Sequence, residues 1–130
     1  MLRKKPSDYH FQMLQKRYQY LKAVLIDEVS MTDDGTFDYL NRWLRAIKRR
    51  SDFDFGAVSV LAVGDFFQLP PGNQQYIFRN MTPTHAWYNF VMHELKDIVR
   101  QVGDPHFAQL LNRLREGNQT KKDIVDIEAM

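Results

Sequence analysis

The chain has no cysteine among its 130 residues, which removes disulfide staples, thiolate nucleophiles and thiolate metal sites and leaves the redox setting open. It has no apolar run long enough to span a bilayer, and its basic start passes into Pro6, Ser7 and Asp8 rather than into the apolar stretch of a secretory leader. None of its six glycines is followed by lysine, so the phosphate-cradling loop G-x-x-x-x-G-K-[ST] does not occur. A soluble intracellular protein is the expectation. With 44% hydrophobic residues it can bury about two-thirds of its unfolded surface as one domain.

The net charge of +2 is too small to indicate a nucleic-acid partner by itself. Its distribution says more. Residues 1–22 hold six Lys or Arg against Asp8 alone, residues 27–38 hold five acids and no base, and residues 42–50 hold five bases and no acid.

Strands and helices alternate along the chain. From Ser7, a residue type suited to an N-cap, Phe11, Leu14, Tyr18 and Leu21 recur at helical spacing and predict a helix ending near Tyr20. "AVLI" at Ala23–Ile26 reads as a strand buried on both faces. Capping residues at 32–35 introduce a second helix, with Phe37, Leu40, Leu44 and Ile47 as its apolar stripe, reaching Arg50. "SDFDFG" reads as a loop, and "VSVLAV" at residues 58–63 as another buried strand. Pro70, Pro71 and Gly72 forbid regular structure. A short helix holding Ala86, Trp87 and Phe90 precedes a strand at residues 94–99. Asp104 as cap, Pro105 at the first helical position, a stripe of Phe107, Leu110, Leu111 and Leu114, and Gly117 as terminator define a further helix. Thr120 with Asp123 predicts a capping box opening a last one.

Such alternation argues for a parallel sheet flanked by helices, whose ligands bind beyond the carboxyl ends of the strands. Both strands run into acids there: "KAVLIDEVSM" places Asp27 and Glu28 after one, and Gly64 and Asp65 follow the other. Magnesium bound to phosphate suits such carboxylates, because it keeps several waters and takes one or two protein ligands. Asp27 would hold the ion, directly or through water, and Glu28 would orient or deprotonate an attacking water. The plain alternative is a solvated loop start. In "VLAVGDFFQLPP" at residues 60–71, Gln68 offers a neutral amide able to sense a terminal phosphate, on a loop stiffened by proline. Alternatively Gln68 caps a turn while Phe66 and Phe67 fill the core.

In this order and spacing, "VLIDEVSM", "VGDFFQLPP" and "LKDIVRQ" closely resemble the motifs of the Pif-one family of DNA helicases, superfamily-one motors related to RecD that include the Helitron transposon helicases. The likeness extends through "FDYLNRWLRAIKR" and "DPHFAQLLNRLREG" and covers nearly the whole chain from about Ser7 onward. It implies an α/β chain with a partial RecA-like P-loop NTPase fold, parallel strands flanked by helices, lacking the Walker A strand and loop. Residues 1–130 then form a single partial domain, the second half of the first motor domain. The resemblance implies ATP and Mg2+ as cofactors. Asp27 and Glu28 match the Walker B pair, with Asp27 on the metal and Glu28 behind it. Gln68 matches the phosphate sensor, with Gly64 and Asp65 opening its loop, and Arg100 with Gln101 matches the arginine motif that reaches the terminal phosphate. Such an arginine contributes about a thousandfold or more to phosphoryl transfer. The family's usual "FRQ" is "VRQ" here.

The activity so implied is ATP-dependent unwinding of DNA with 5′ to 3′ polarity, in repair, recombination or telomere maintenance. Its partners would be single-stranded or forked DNA, the Walker A segment and the second motor domain, with no membrane. The location would be nuclear or mitochondrial in a eukaryote and cytoplasmic otherwise, and the protein a monomer. The chain by itself is expected to be marginally stable and to hydrolyse ATP poorly or not at all.

Weaker DNA-binding candidates are Arg42, Arg45 and Arg49, which share a helical face, and the aromatics Phe66, Phe67, Trp43 and Trp87. A solvated basic face and ordinary core packing are the competing readings. His10, His85, His93 and His106 lack metal-ligand spacing. Two other functions stay open: a non-catalytic DNA- or protein-binding remnant of a transposon-like gene, and a magnesium-dependent phosphohydrolase or nuclease using Asp27, Glu28 and Asp65.

Overall fold

The computed structural model describes residues 8–73, 75–79, 82–96 and 103–129. They fall into two units, one ending at Phe90 and the other beginning at Val91. No helix among the described residues is long and apolar enough to cross a membrane.

In the first unit, α1 (Asp8–Arg17) leads to β1 (Ala23–Ile26), α2 (Asp34–Lys48) and β2 (Ser59–Ala62). β1 and β2 pair in parallel, with Ala23 opposite Ser59 and Ile26 opposite Ala62, and α2 makes the crossover that a parallel pair requires. Val24, Ile26, Val60 and Ala62 pack on the core, whereas Leu25 and Leu61, directly opposite each other, are 64% and 63% exposed. The strands are therefore buried on one face, not both. Nothing among the described residues of the first unit covers the other face.

α2 forms where its stripe predicts. Asp33 caps it, one carboxylate oxygen accepting from the Thr36 amide at 3.0 Å and the other from the Thr36 hydroxyl at 2.8 Å. The hydroxyl bond is the chief reason the Asp33 carboxyl is held below its ordinary range. Phe37, Leu44 and Ile47 are buried, and Phe37 sits at the centre of an aromatic cluster with Phe55 (5.4 Å), Trp87 (5.6 Å) and Phe90 (5.7 Å). The helix stops at Lys48 instead of Arg50 because Arg49 enters the left-handed region, φ 54°, and its amide turns back to the Ala46 carbonyl.

α1 also ends early, at Arg17. The carbonyls of Gln19 and Leu21 converge on the Lys48 ammonium at 2.7 and 3.1 Å, and a continued helix would aim them along its own axis instead. "SDFDFG" contains a tight turn at Asp54–Ala57. Buried Asn41 braces it, accepting from the Phe55 amide at 2.7 Å and donating to Asp54 at 3.2 Å. Gly56, at φ 62°, presses so close to α2 that a Cβ would stand 2.6 Å from the Leu44 carbonyl oxygen. The expected short helix is a single 3-10 turn, Ala86–Asn89.

In the second unit, residues 94–96 of the expected strand carry no strand structure, because no partner ladder meets them among the described residues. Residues 97–99 lie outside the described residues. α3 (Pro105–Arg115) has the predicted Asp104 cap, which accepts from the Phe107 amide at 2.9 Å. α4 (Lys121–Glu128) opens on the predicted capping box of Thr120 and Asp123. Arg113 forks onto Asp123 with bonds of 2.8 and 2.5 Å. That guanidinium, followed by the Thr120 backbone, holds the Asp123 carboxyl well below the usual carboxylate range, and Asp123 in turn raises Arg113.

Candidate functional site

Two loops leave the carboxyl ends of the parallel strands side by side. Past β1, Asp27 and Glu28 are both exposed, and the Glu28 amide donates to the Asp27 carboxylate at 2.9 Å. Glu28 itself is left-handed, φ 51° and ψ 46°, a conformation that costs a non-glycine residue about 1–2 kcal/mol. The strained bend lifts the acid pair off the strand while Val29 and Ser30 immediately re-enter the core, 3% and 1% exposed.

Past β2, the ladder extends into both loops. The Val63 amide donates to the Ile26 carbonyl at 2.8 Å, and the Val29 amide donates to the Val63 carbonyl at 2.9 Å. Gly64 then lies flat against the first loop: a Cβ on it would stand 2.8 Å from the Val29 nitrogen and 3.3 Å from the Glu28 carbonyl carbon. Only glycine permits that approach. Asp65 caps its own turn, its carboxylate accepting from the Phe67 amide and its carbonyl from the Gln68 amide, both at 3.0 Å. Gln68 is exposed at the end of this turn, before buried Pro71.

The structure thus brings the first two motifs together, joined by backbone contacts rather than by side chains. Arg100 and Gln101 lie outside the described residues. Two exposed carboxylates beyond a strand end are a donor set that fits a magnesium ion keeping most of its waters. Among the described residues no three acids or histidines gather as a metal-holding group, and the Asp65 carboxylate is turned onto its own loop.

The weaker DNA candidates are placed as follows. Phe66 is half-buried, edge-on to Phe78 at 5.2 Å and to Trp87 at 6.1 Å, and packs against the core, whereas Phe67 is 61% exposed. Trp43 packs between Phe11 and Tyr39. Arg42, Arg45 and Arg49 line one open cleft with Ser51, yet each guanidinium has a partner inside the chain. Arg42 pairs with Asp38 at 2.8 Å, Arg45 donates to the Ser51 carbonyl at 2.7 Å, and Arg49 donates to Gln15 at 3.0 Å. His85 donates through Nε2 to the Asp34 carboxylate at 2.8 Å, while its Nδ1 accepts from the Trp87 amide and caps the 3-10 turn. Sequence reasoning missed Gly64 as the contact between the loops and Asn41 as the brace of the Asp54–Ala57 turn. The Gly-Asp pair after an apolar run was the available signal for the first; nothing local signals the second.

A sequence model described as PIF1-like helicase matches residues 9–124. The chain belongs to the PIF1-like helicase family. Its relatives include the ATP-dependent DNA helicase PIF1 of Candida albicans, 32% identical over 114 residues, covering 78% of this chain and 12% of that protein. The ATP-dependent DNA helicase PIF1 of Emericella nidulans is 35% identical over 119 residues, covering 87% of this chain and 15% of that protein. Among solved structures, the Pif1 helicase from Candida albicans superposes with a TM-score of 0.77 at 32% identity, over 91% of this chain and 27% of that one. Pif1 helicase from Bacteroides, in complex with ADP-AlF3 and ssDNA, gives 0.71 at 28% identity, over 95% and 30%. This PIF1-like chain therefore has the α/β fold of a RecA-like helicase domain fragment and spans under a third of those structures.

Proposed function

We propose that the chain is the Walker B and third-motif half of the first motor domain of an ATP-dependent DNA helicase. It would work with a Walker A segment and a second motor domain to bind single-stranded or forked DNA and unwind the duplex 5′ to 3′, as an intracellular monomer serving repair, recombination or telomere maintenance. The observation that carries this reading is the backbone lock between the loops: the Val29 amide on the Val63 carbonyl at 2.9 Å, with Gly64 against Glu28 and Val29. A lock of this kind fixes the acids relative to Gln68, and phosphoryl transfer depends chiefly on positioning and electrostatics.

Asp27 would hold a magnesium ion, which when bound neutralises phosphate charge. Glu28 would accept a proton from the attacking water, its left-handed backbone holding it clear of the strand. Gln68 would donate to a terminal phosphate oxygen, and Arg100 with Gln101 would approach the same phosphate. The folded-back Asp65 carboxylate favours this assignment over a three-carboxylate nuclease.

The test is magnesium-dependent, DNA-stimulated ATP hydrolysis by the 130-residue chain alone and by the same chain joined to the Walker A segment of a relative. We expect a signal only from the joined protein, cut at least ~100-fold by Glu28→Gln. A clean signal from the chain alone, or a joined protein indifferent to Glu28→Gln, overturns the assignment.

A further inference from the structure

The turn that carries Gln68 is fixed by its neighbours. Phe67, Gln68, Leu69 and Pro70 are exposed in succession, and the arc they form is pinned on one side by buried Pro71 and on the other by Phe66. Among the described residues, Phe66 is the one side chain of 65–70 that packs against the core. Two rings brace it. Phe78 meets it edge-on at 5.2 Å with planes inclined by 85°, and Trp87 at 6.1 Å with planes inclined by 88°.

The two rings come from separate segments, and both segments are tied to the start of α2. Tyr76 bridges antiparallel to Asp33 and the Asp34 amide donates to the Gln75 carbonyl at 3.1 Å, which sets the segment of Phe78. His85 donates to the Asp34 carboxylate at 2.8 Å and leads into the 3-10 turn of Trp87, whose ring is edge-on to Phe37 at 5.6 Å and stacked on Phe90 at 4.8 Å. The same start of α2 follows the acid loop by a single 3-10 turn, Val29–Met31. One platform therefore supports both loops, the acids through the chain itself and Gln68 through Phe66.

We propose that Phe66 is a positioning residue for Gln68: its ring, braced by Phe78 and Trp87, sets where the Gln68 side chain stands relative to Asp27 and Glu28. The proposal rests on the reading of Gln68 as the phosphate sensor and adds what places it. The Gln68 amide donates to the Asp65 carbonyl at 3.0 Å, so residues 65–68 move as one turn and a tilt at Phe66 displaces Gln68 with it. A misplacement of about 1 Å by a change away from the chemistry can cost about a hundredfold in rate. Edge-on aromatic contacts prefer one geometry, whereas a flexible aliphatic side chain fills the same space without fixing a direction. A ring that only filled the core would lower stability when replaced and leave the chemical step of the folded protein unchanged.

A double-mutant cycle on the chain joined to a Walker A segment, read as kcat and KM for ATP with magnesium and an oligothymidylate, tests the role. Gln68→Ala should lower kcat about 100-fold. Phe66→Leu should lower kcat about tenfold with KM unchanged, and by about twofold or less where Gln68 is already replaced. In the intact 130-residue chain, nitrogen-15 relaxation should show the Gln68 amide of Phe66→Leu falling below an order parameter of about 0.6 while the Val29 amide stays near about 0.85. Phe66→Met, which keeps an apolar side chain without the ring, should repeat both results and serves where the leucine variant does not fold. An equal loss of kcat from Phe66→Leu with and without Gln68, a Gln68 amide as rigid as in the native chain, or order parameters that fall together at Gln68 and Val29 overturns the positioning role and leaves the sensor reading standing. A Gln68→Ala protein with native kcat overturns the sensor reading itself.

Discussion

Gly64→Ala tests the claim that the two motif loops are locked through their backbones. The added methyl would lie 2.8 Å from the Val29 nitrogen, 3.1 Å from its Cγ1 and 3.3 Å from the Glu28 carbonyl carbon. Comfortable separations start near 3.5 Å, so the chain must open by about 0.7 Å at the nearest atom. That atom is backbone and cannot rotate away. It also carries the amide that donates to Val63 at 2.9 Å, and a shift of that size takes the bond to the edge of hydrogen-bonding range. Overpacking costs about 1–3 kcal/mol and the lost bond about 1 kcal/mol, while removing a glycine from the unfolded chain returns roughly 0.4–1 kcal/mol. The net loss should be about 2–3 kcal/mol, or about 10 °C in Tm for a domain of this size. Urea unfolding followed by circular dichroism, with amide exchange at Val29, measures it. Gly72→Ala is the control, because a Cβ there meets nothing within 4 Å. If the two variants unfold at the same midpoint with Val29 equally protected, the lock does not exist.

Other outcomes follow from buried polar groups. Asn41→Leu leaves the Phe55 amide without its 2.7 Å acceptor and should cost about 1–3 kcal/mol in the same urea assay; a neutral result would mean the turn at Asp54–Ala57 holds itself. Ser30 is 1% exposed and its hydroxyl has no partner among the described residues, so Ser30→Ala should be neutral or stabilising by about 1 kcal/mol, and a clear loss would reveal a hidden partner. Asp123 titrates well below its ordinary range because of Arg113, then Thr120. The folded state therefore binds the proton less readily than the unfolded chain. The resulting stabilisation is complete above the unfolded value of about 3.9 and fades as pH falls below it toward the folded one. Helical circular dichroism should drop across that acid range and lose this step in Asp123→Asn; superimposable acid titrations would refute the role given to the pair.

The elements read well from sequence where their signals are local. Asp33, Asp104, Pro105 and the Thr120–Asp123 box each sit within a turn of the helix they start, and the stripe from Phe37 to Ile47 needs no distant partner to be seen. The acids past β1 were legible for the same reason. Misreadings came from long-range contacts. Lys48 pulls on carbonyls 27 and 29 residues away and ends α1 early. The strands looked buried on both faces because composition states what a face prefers, whereas the described chain supplies only one surface to cover it. The left-handed turn at Glu28 has no local signal, since glutamate is a poor choice for it. The arginines of α2 looked like a free cationic face, but Asp38, Ser51 and Gln15 engage them through folding.

Leu25 and Leu61 form a greasy step across a ladder whose outer edges are open among the described residues. Such a surface is a seed onto which further strands can add, and copies of the same chain compete with the proper ones. Crowding of partly folded copies then works against the yield of folded chain. Self-association of the chain should accordingly rise with concentration, and polar replacements at these two leucines should lower it.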